Sequence, residues 1–211
     1  MDSKERDFDK EAASWDQNPG RTRLAEDIAG AIKSAVKITP DMNALDFGCG
    51  TGLLTLQIQP LVHTITGVDN SQGMLDVLES KVQALNLNNV HTQHRDLIRG
   101  DSLQGSYDLI LSSMAFHHIR EIGPVLYQLS QALLPGGHLC IADLDLDDGM
   151  FHSDNEGVFH SGFDRPVLRQ AFMEAGLVSI NDLTAASVEK PVPGCGTRLF
   201  TVFLMTGRKP G

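Results

Sequence analysis

The apolar residues of this chain fall into two patterns that alternate along it. Short runs of adjacent apolar residues predict strands that are buried on both faces, as in a parallel sheet. The predicted strands lie at residues 44–48, 63–69, 89–97, 107–116 and 138–146. Stretches in which apolar residues recur every three or four positions predict amphipathic helices. These helices lie at residues 53–62, 72–87, 122–137 and 164–177.

This alternation breaks down near the end of the chain. Two β-rich segments, 178–190 and 197–209, follow each other without a helix between them, which predicts an antiparallel pair at the sheet edge. Two further helices are predicted at the front, around residues 3–14 and 21–36. Because no linker or repeat is visible, we expect one domain over residues 1–211. Its predicted class is α/β, with a doubly wound, mostly parallel seven-stranded sheet.

Three glycines follow the first strand directly, in the stretch LDFGCGTGLL at residues 45–54. Glycine allows a tight turn and lets a ligand lie against bare backbone, and ligands bind at this edge of parallel sheets. A dinucleotide site needs G-x-G-x-x-G, but Leu53 stands where the third glycine of that motif belongs. A nicotinamide-dependent oxidoreductase is therefore disfavoured. The pattern is instead Asp46 followed by Gly48, Gly50 and Gly52.

This pattern of one acid and three glycines resembles the first motif of class I S-adenosylmethionine (SAM)-dependent methyltransferases. Four more segments resemble later motifs of that family, in the family's order. They are GVDNS (67–71), HRDL (94–97), YDLILSSMAFHHI (107–119) and LLPGGHLCIADL (133–144). Five motifs in order, covering about residues 40–208, are far more specific than one glycine-rich turn. The resemblance implies a Rossmann-like fold, SAM as the cofactor and methyl transfer as the activity.

The resemblance also implies how the cofactor is held. Asp69 would accept hydrogen bonds from the ribose hydroxyls, and Asp96 would hold the adenine amino group with the Leu97 amide nearby. Asp46 and the region of Gly50 would face the methionine moiety. Carboxylates suit these positions because they accept hydrogen bonds from hydroxyls and amines, and because SAM carries a sulfonium and an ammonium group.

Several further cofactor contacts are expected, some with a structural alternative. Arg21 can pair with the carboxylate of SAM beside Trp15; the alternative is a surface arginine and a packed tryptophan. Met74 can contact adenine or belong to the core. The resemblance implies that carbonyls near two serines accept from the ammonium group of SAM. The expected contacts are Trp15, Arg21, Asp46, Gly48, Cys49, Gly50, Thr51, Gly52, Asp69, Asn70, Met74, Asp96, Leu97, Ser112 and Ser113.

Two adjacent histidines follow the fourth predicted strand, where an acceptor would meet the methyl group. His117 and His118 are catalytic candidates because imidazole is a natural general base near neutral pH. The alternative is a structural role in which each ring bonds to the backbone. Positions 112–115 read Ser-Ser-Met-Ala rather than Asp/Asn-Pro-Pro-Tyr/Phe or a Pro-Cys nucleophile, which disfavours methylation of amides, base amines and cytosine C5.

The long segment at 143–165 combines acids, histidines, glycines and phenylalanines. A loop of this length is usually functional or disordered, so it is either a lid over the acceptor or a solvated acidic loop. As a lid it would bring His160 and Arg165 to the acceptor as polar contacts. Its two histidines, His152 and His160, lack a compact ligand spacing, so no metal is expected.

Composition narrows the class of partner. The 211 residues carry a net charge of −10 without a cluster of Lys and Arg, so nucleic acid is disfavoured and a cationic or neutral small molecule fits better. The absence of a long apolar run or signal peptide predicts a cytoplasmic protein without a membrane span. Cys49, Cys140 and Cys195 are too dispersed for a disulfide framework or zinc knuckle. The sequence does not identify the methyl acceptor or the oligomeric state. It also leaves open the alternative that this protein binds SAM without activity of its own and acts as a partner subunit.

Overall fold

The computed structural model describes residues 6–192, 194 and 196–211. Within these ranges, seven strands form one sheet. They are β1 (Asn43–Phe47), β2 (Thr64–Asp69), β3 (Val90–His94), β4 (Tyr107–Ser113), β5 (Leu133–Leu144), β6 (Val178–Val192) and β7 (Gly196–Arg208). Their order across the sheet is β3-β2-β1-β4-β5-β7-β6. Strands β1 to β5 pair in parallel, and β7 pairs antiparallel with β5 and β6. The predicted sheet and its antiparallel edge pair are confirmed.

In the same ranges, five α-helices connect and flank the strands. They are α1 (Pro19–Ala35), α2 (Leu53–Ile58), α3 (Gln72–Ala84), α4 (Ile122–Ala132) and α5 (Arg165–Glu174). Ser71 caps α3, because its hydroxyl accepts a hydrogen bond from the Met74 amide at 3.2 Å. Single turns of 3₁₀ helix occupy Gln59–Leu61 and Phe116–His118.

Several predicted boundaries inside the chain differ from the structure, and two of these differences have a clear cause. Helix α2 stops at Ile58 and continues as a 3₁₀ turn, since Pro60 has no N–H to donate within a longer α-helix. Strand β5 begins at Leu133 rather than at 138, because Leu133 already pairs with Tyr107 of β4. The apolar periodicity of α4 continues into the first residues of β5, so periodicity alone does not show where the helix ends. The pairing of β5 with β4 sets that boundary.

The front of the chain differs from the helix predicted at 3–14. The described part of that range forms the 3₁₀ helices Phe8–Lys10 and Ala12–Gln17, and residues 3–5 lie outside the described ranges. Acidic side chains of this segment bond to α3 and to the glycine turn instead of supporting a continuous helix. Long-range contacts therefore set its path, and local periodicity does not.

The two faces of the sheet are covered by different helices. On one face, α1, α2 and α3 pack through buried side chains such as Ile28, Ile58 and Leu78. On the other face, α4 and α5 pack through Leu126 and Phe172. The strand order reverses between β1 and β4, and the carboxyl ends of these strands form the switch point at which open α/β sheets bind ligands.

The turn from β1 into α2 requires glycine at two positions. Gly48 and Gly52 have positive φ angles of 68° and 80°. A Cβ on Gly48 would stand 2.5 Å from the Ala115 Cβ, and one on Gly52 would stand 2.3 Å from the Leu78 Cδ1. The turn can therefore lie this close to α3 and to the loop after β4 only because its backbone is bare.

A buried carboxyl group joins β1 to α2. Asp46 is 1% exposed, and its Oδ2 accepts a hydrogen bond from the Thr55 hydroxyl at 2.6 Å. Burial raises the pKa of Asp46 to about 7, while the hydrogen bond from Thr55 opposes that shift. In the folded protein this group therefore keeps its proton over a pH range in which an ordinary aspartic acid is ionised.

Replacing Gly52 with Ala should destabilise the fold. The added methyl group would meet the buried Leu78 side chain in a left-handed backbone conformation. We expect the free energy of unfolding to fall by about 2–4 kcal/mol, from overpacking and backbone strain together. Gly30→Ala is the matched control, because Gly30 lies inside α1 with open space around it and should gain up to about 1 kcal/mol. Urea unfolding measures both variants, and equal stabilities would show that the turn tolerates a side chain.

Asp46 should make the fold less stable as the pH rises. Between about pH 4 and about pH 7 the unfolded chain releases the Asp46 proton while the folded protein keeps it, so the free energy of unfolding falls with pH. This contribution is at most about 1.4 kcal/mol per pH unit. Asp46→Asn removes the titration, so the variant's stability should fall less steeply with pH. Urea unfolding at several pH values in this window gives the two slopes, and superimposable slopes would refute the raised pKa.

Candidate functional site

A cavity of about 810 Å³ opens at the carboxyl ends of β1 and β4. Its volume is typical of small-molecule sites. The residues expected to hold a cofactor meet here, since all of them except Gly52 and Ser112 line the cavity. The Ser112 side chain is buried, and its hydroxyl has no hydrogen-bond partner among the described residues.

Asp69, at the end of β2, is fixed beside the glycine turn. Its Oδ2 accepts a hydrogen bond from the Gly50 amide at 2.8 Å, and its Oδ1 accepts from the Ser71 amide at 2.9 Å. Burial raises the pKa of Asp69, and these two amides act against the shift. The carboxylate is therefore held by backbone on two sides and lines the cavity with its remaining surface.

Asp96 and Leu97 lie on the neighbouring part of the wall. The Asp96 Oδ1 accepts hydrogen bonds from the Ile98 and Arg99 amides, each at 3.1 Å, so this carboxylate also stabilises its own turn. Met74 lines the cavity although it is only 2% exposed, so its side chain belongs to the core and to the cavity wall at once.

The thiols of the described chain are not poised for chemistry. Cys49 and Cys140 are free and buried, and Cys195 lies outside the described ranges. Burial raises the pKa of Cys49 well above its usual value and that of Cys140 to about 12. Both groups therefore stay protonated and unreactive near neutral pH.

The N-terminal segment is fastened over the glycine turn by two of its acids. The Asp9 carboxylate accepts a hydrogen bond from the Ser71 hydroxyl at 2.6 Å. The Asp16 carboxylate accepts from the Thr51 hydroxyl at 2.6 Å and forms an ion pair with Lys81 of α3. These contacts hold the segment against the loops that carry the glycines and Asp69.

Trp15 and Arg21 form one unit on this side of the cavity. The Arg21 guanidinium lies 3.5 Å from the centre of the Trp15 ring, and its Nη1 donates a hydrogen bond to the Trp15 carbonyl at 3.0 Å. Phe8 meets the Trp15 ring edge-on at 5.9 Å. Burial lowers the pKa of Arg21, and no carboxylate of the described chain forms an ion pair with it. Both residues line the cavity, so neither is a plain surface residue.

His117 and Asp143 form a fully buried pair. The His117 Nδ1 donates to the Asp143 Oδ1 at 2.7 Å, and the other carboxylate oxygen accepts from the His117 amide at 3.2 Å. Burial acts to raise the pKa of Asp143, but His117 and the amides around it hold it below its usual value. The His117 Nε2 is buried and has no hydrogen-bond partner in the described chain.

His118 has different surroundings. Its Nδ1 donates to the Gly157 carbonyl at 2.8 Å, and its ring lies 4.1 Å from that of His117. Burial, followed by the neighbouring His117, lowers the pKa of His118 to about 4. Bonding to backbone is the structural alternative that the sequence left open for this residue, although its ring still lines the cavity.

The segment at 143–165 forms a packed wall of the cavity. Phe151, His152, Gly157 and Phe159 line the cavity, and the Phe151 side chain is 9% exposed. The Phe159 amide donates to the His117 carbonyl at 2.9 Å, which ties the segment to the loop after β4. These contacts differ from those expected of a solvated acidic loop, because parts of the segment are buried and bonded to the rest of the fold.

The structure does not bring His160 and Arg165 to the cavity. The His160 Nε2 bonds to the Ile119 carbonyl at 2.8 Å. The Arg165 guanidinium donates to both oxygens of Asp145 at 2.7 Å and pairs with Asp182. The expected acceptor contacts are thus corrected, because both side chains are used to fasten the segment to the fold.

Lys190 is a cavity residue that the sequence analysis missed. It lies near the end of β6, and its ammonium group stands 4.2 Å from the centre of the Phe151 ring. Arg6 and Phe8 of the N-terminal segment were missed as well. No local signal distinguishes them, because their direction depends on how distant segments cross the mouth of the sheet.

Two features are absent from the described ranges. No cluster of three or more metal-ligating side chains occurs there. None of the helices in these ranges is long and apolar enough to cross a membrane.

A family model and a curated relative that match this sequence are both described as methyltransferases. A family model described as a methyltransferase domain matches residues 44–137. An uncharacterized methyltransferase of Schizosaccharomyces pombe is 33% identical over 152 residues, which cover 64% of this chain and 53% of that protein. The chain spans about half to three fifths of the length of the curated relatives it matches.

Comparison with solved structures shows the same fold. A chain of the Haloferax volcanii complex between the Trm112 methyltransferase activator and a methyltransferase superposes with a TM-score of 0.78 at 18% identity, covering 98% of this chain and 99% of that one. Haemonchus contortus phosphoethanolamine N-methyltransferase 2, solved with SAM, superposes with a TM-score of 0.69 at 15% identity, covering 87% and 52%. The matched domain, the sequence similarity to a methyltransferase and the shared Rossmann-like fold support the resemblance of this chain to class I SAM-dependent methyltransferases.

Proposed function

We propose that this protein transfers a methyl group from SAM to a small molecule bound in the same cavity. One observation carries the proposal. The glycine turn and the two strand-end acids line one part of a cavity whose other walls, from the N-terminal segment, 143–165 and β6, enclose further space. A cofactor on the first part would present its methyl group to a molecule held by the second.

The proposed cofactor contacts follow the geometry of the walls. Asp69 accepts from the ribose hydroxyls, and Asp96 with Leu97 holds the adenine. Asp46 and Gly50 face the methionine moiety. Arg21 pairs with its carboxylate, which supplies the anion that this buried guanidinium lacks among the described residues.

Methyl transfer needs alignment more than it needs acid–base chemistry. The acceptor atom displaces the sulfur of SAM in line at the methyl carbon, so a bond to the acceptor forms as the sulfonium bond breaks. Holding both molecules in one cavity supplies proximity, which can contribute about 7–11 kcal/mol. The enclosing side chains also keep water from the reacting atoms.

His117 is our candidate base for an acceptor that must lose a proton. Asp143 takes the hydrogen bond from Nδ1, which leaves Nε2 as the proton-accepting nitrogen. Nε2 has no other partner in the described chain, and an imidazole oriented by a carboxylate is a common general base. His118 is less suited, because a pKa of about 4 makes it a weak base at neutral pH.

The remaining inferences from the sequence stay predictions. They are a single domain over residues 1–211 and a location in the cytoplasm. The volume of the cavity, about 810 Å³, supports a small acceptor, because it is typical of small-molecule sites.

S-adenosylhomocysteine, the product of the cofactor, should raise the melting temperature, and NAD should not. A ligand that binds only the native state stabilises it by about 2.7 kcal/mol at a concentration 100 times the dissociation constant. Differential scanning fluorimetry with each ligand measures the shift. A shift with NAD and none with S-adenosylhomocysteine would reverse the choice of cofactor.

Asp69→Asn should weaken S-adenosylhomocysteine binding by at least about tenfold, since hydrogen bonds to a charged group contribute about 1.5–3 kcal/mol. Calorimetry gives the dissociation constant. Asp76→Asn is the matched control, because Asp76 is exposed on α3 and lies outside the cavity. If Asp69→Asn binds as tightly as the control, Asp69 serves only to hold the turn.

A further inference from the structure

The cavity is lined by cations, in a chain whose net charge is −10. They are Arg6, Arg21, Arg95, Arg120 and Lys190. Arg6 is neutralised by Glu11, whose two oxygens accept from its guanidinium at 2.6 and 2.9 Å. Arg21 is assigned to the carboxylate of SAM by the function proposed above. This function leaves Arg95, Arg120 and Lys190 without a role. Of these three, Lys190 is the one whose ammonium group lies over the Phe151 ring.

Lys190 has no carboxylate partner in the described part of the chain. Its ammonium group donates to the Phe151 carbonyl and lies over the Phe151 ring. Burial and then the neighbouring Arg21 lower its pKa, while Asp147 acts in the opposite direction. Asp147 does not line the cavity, its Oδ1 accepts from the Met150 amide at 3.2 Å, and it forms no ion pair with Lys190 among the described residues.

Aromatic and neutral groups share the cavity with Lys190. Phe8, Trp15, Phe151 and Phe159 line the same cavity. Burial lowers the pKa of His152 to about 3, so its ring is neutral at pH 7. The two acids that line the cavity outside the cofactor part, at positions 121 and 189, are both exposed to solvent. A desolvated ammonium group among aromatic rings is matched by an organic anion with a flat apolar body.

We propose that the methyl acceptor is a small organic carboxylate with an aromatic or unsaturated body, and that Lys190 binds its carboxylate. This inference rests on the proposed methyl transfer and names the substrate class of that site. Lys190 acts as a binding residue that orients the acceptor and takes no part in the chemical step.

This assignment replaces the cationic or neutral acceptor expected from the net charge. The net charge sums exposed groups, and at physiological ionic strength their fields are screened beyond about 8 Å. An ion pair inside the cavity is screened far less. The nearest charges therefore decide which ligand binds, and those nearest to the aromatic end are cationic.

The experiment compares 3-phenylpropanoate with 3-phenylpropanamide, which has nearly the same shape without the charge. The protein is first saturated with S-adenosylhomocysteine. Binding is followed by the fluorescence of Trp15, the one tryptophan of the chain and a cavity residue. We expect the carboxylate to bind at least about tenfold more tightly than the amide, as for a charge-assisted hydrogen bond.

Variants of Lys190 then test whether this residue causes the preference for the carboxylate. Lys190→Gln should bring the carboxylate down to the affinity of the amide, and Lys190→Arg should keep most of the preference. Lys33→Gln is the matched control, because it removes an equal charge from an exposed lysine of α1 and should keep the full preference.

Three results would overturn the inference. The first is equal binding of the two compounds, or no response to either. The second is a preference for the carboxylate that survives Lys190→Gln. The third is a loss of S-adenosylhomocysteine affinity in Lys190→Gln, which would assign Lys190 to the cofactor. Failure of the natural protein to bind S-adenosylhomocysteine would instead refute the proposed function, so the two failures are distinguishable.

Discussion

The bare backbone of the turn after β1 is the constraint on which the cavity depends. Gly48 and Gly52 lie so close to neighbouring side chains that a Cβ at either position would push the elements apart. Because the turn is this tight, the Gly50 amide reaches the carboxylate of Asp69 at the end of β2, 2.8 Å away. The pleated sheet brings the strand ends to one edge, and the glycine turn keeps that edge open to a ligand.

Burial shifts the pKa values of acids and bases in the cavity in opposite directions, because it disfavours the charged form of each. It raises the pKa of Asp46 to about 7 at the cofactor end and lowers the pKa of His118 to about 4 towards the other end. Both groups are thereby pushed towards their neutral forms. The charges that persist in the cavity act more strongly where burial lowers the local dielectric constant.

The parts of the cavity that we propose for the cofactor and for the acceptor are built from different regions of the chain. The strand ends and the glycine turn build the first from segments that follow one another closely. The second is assembled from segments far apart in sequence, the N-terminal 3₁₀ helices, 143–165 and the end of β6. Contacts such as Asp9 with Ser71 and Phe159 with the His117 carbonyl hold these segments in place. A family fold can therefore keep its cofactor part while the acceptor part changes.

The sequence alone determined what depends on local chemistry: the strand–helix alternation, the edge pair and the glycine turn. Only the tertiary structure decided the inward direction of Lys190 and the outward use of Arg165. Side chains alternate between the two faces of a strand, and a bulge resets that alternation. The pairing of β6 with β7 shifts register between Thr184 and Ala186, so the face on which Lys190 emerges cannot be counted from the start of the strand. Arg165 is drawn to Asp145 and Asp182, acids that only the folded chain brings together.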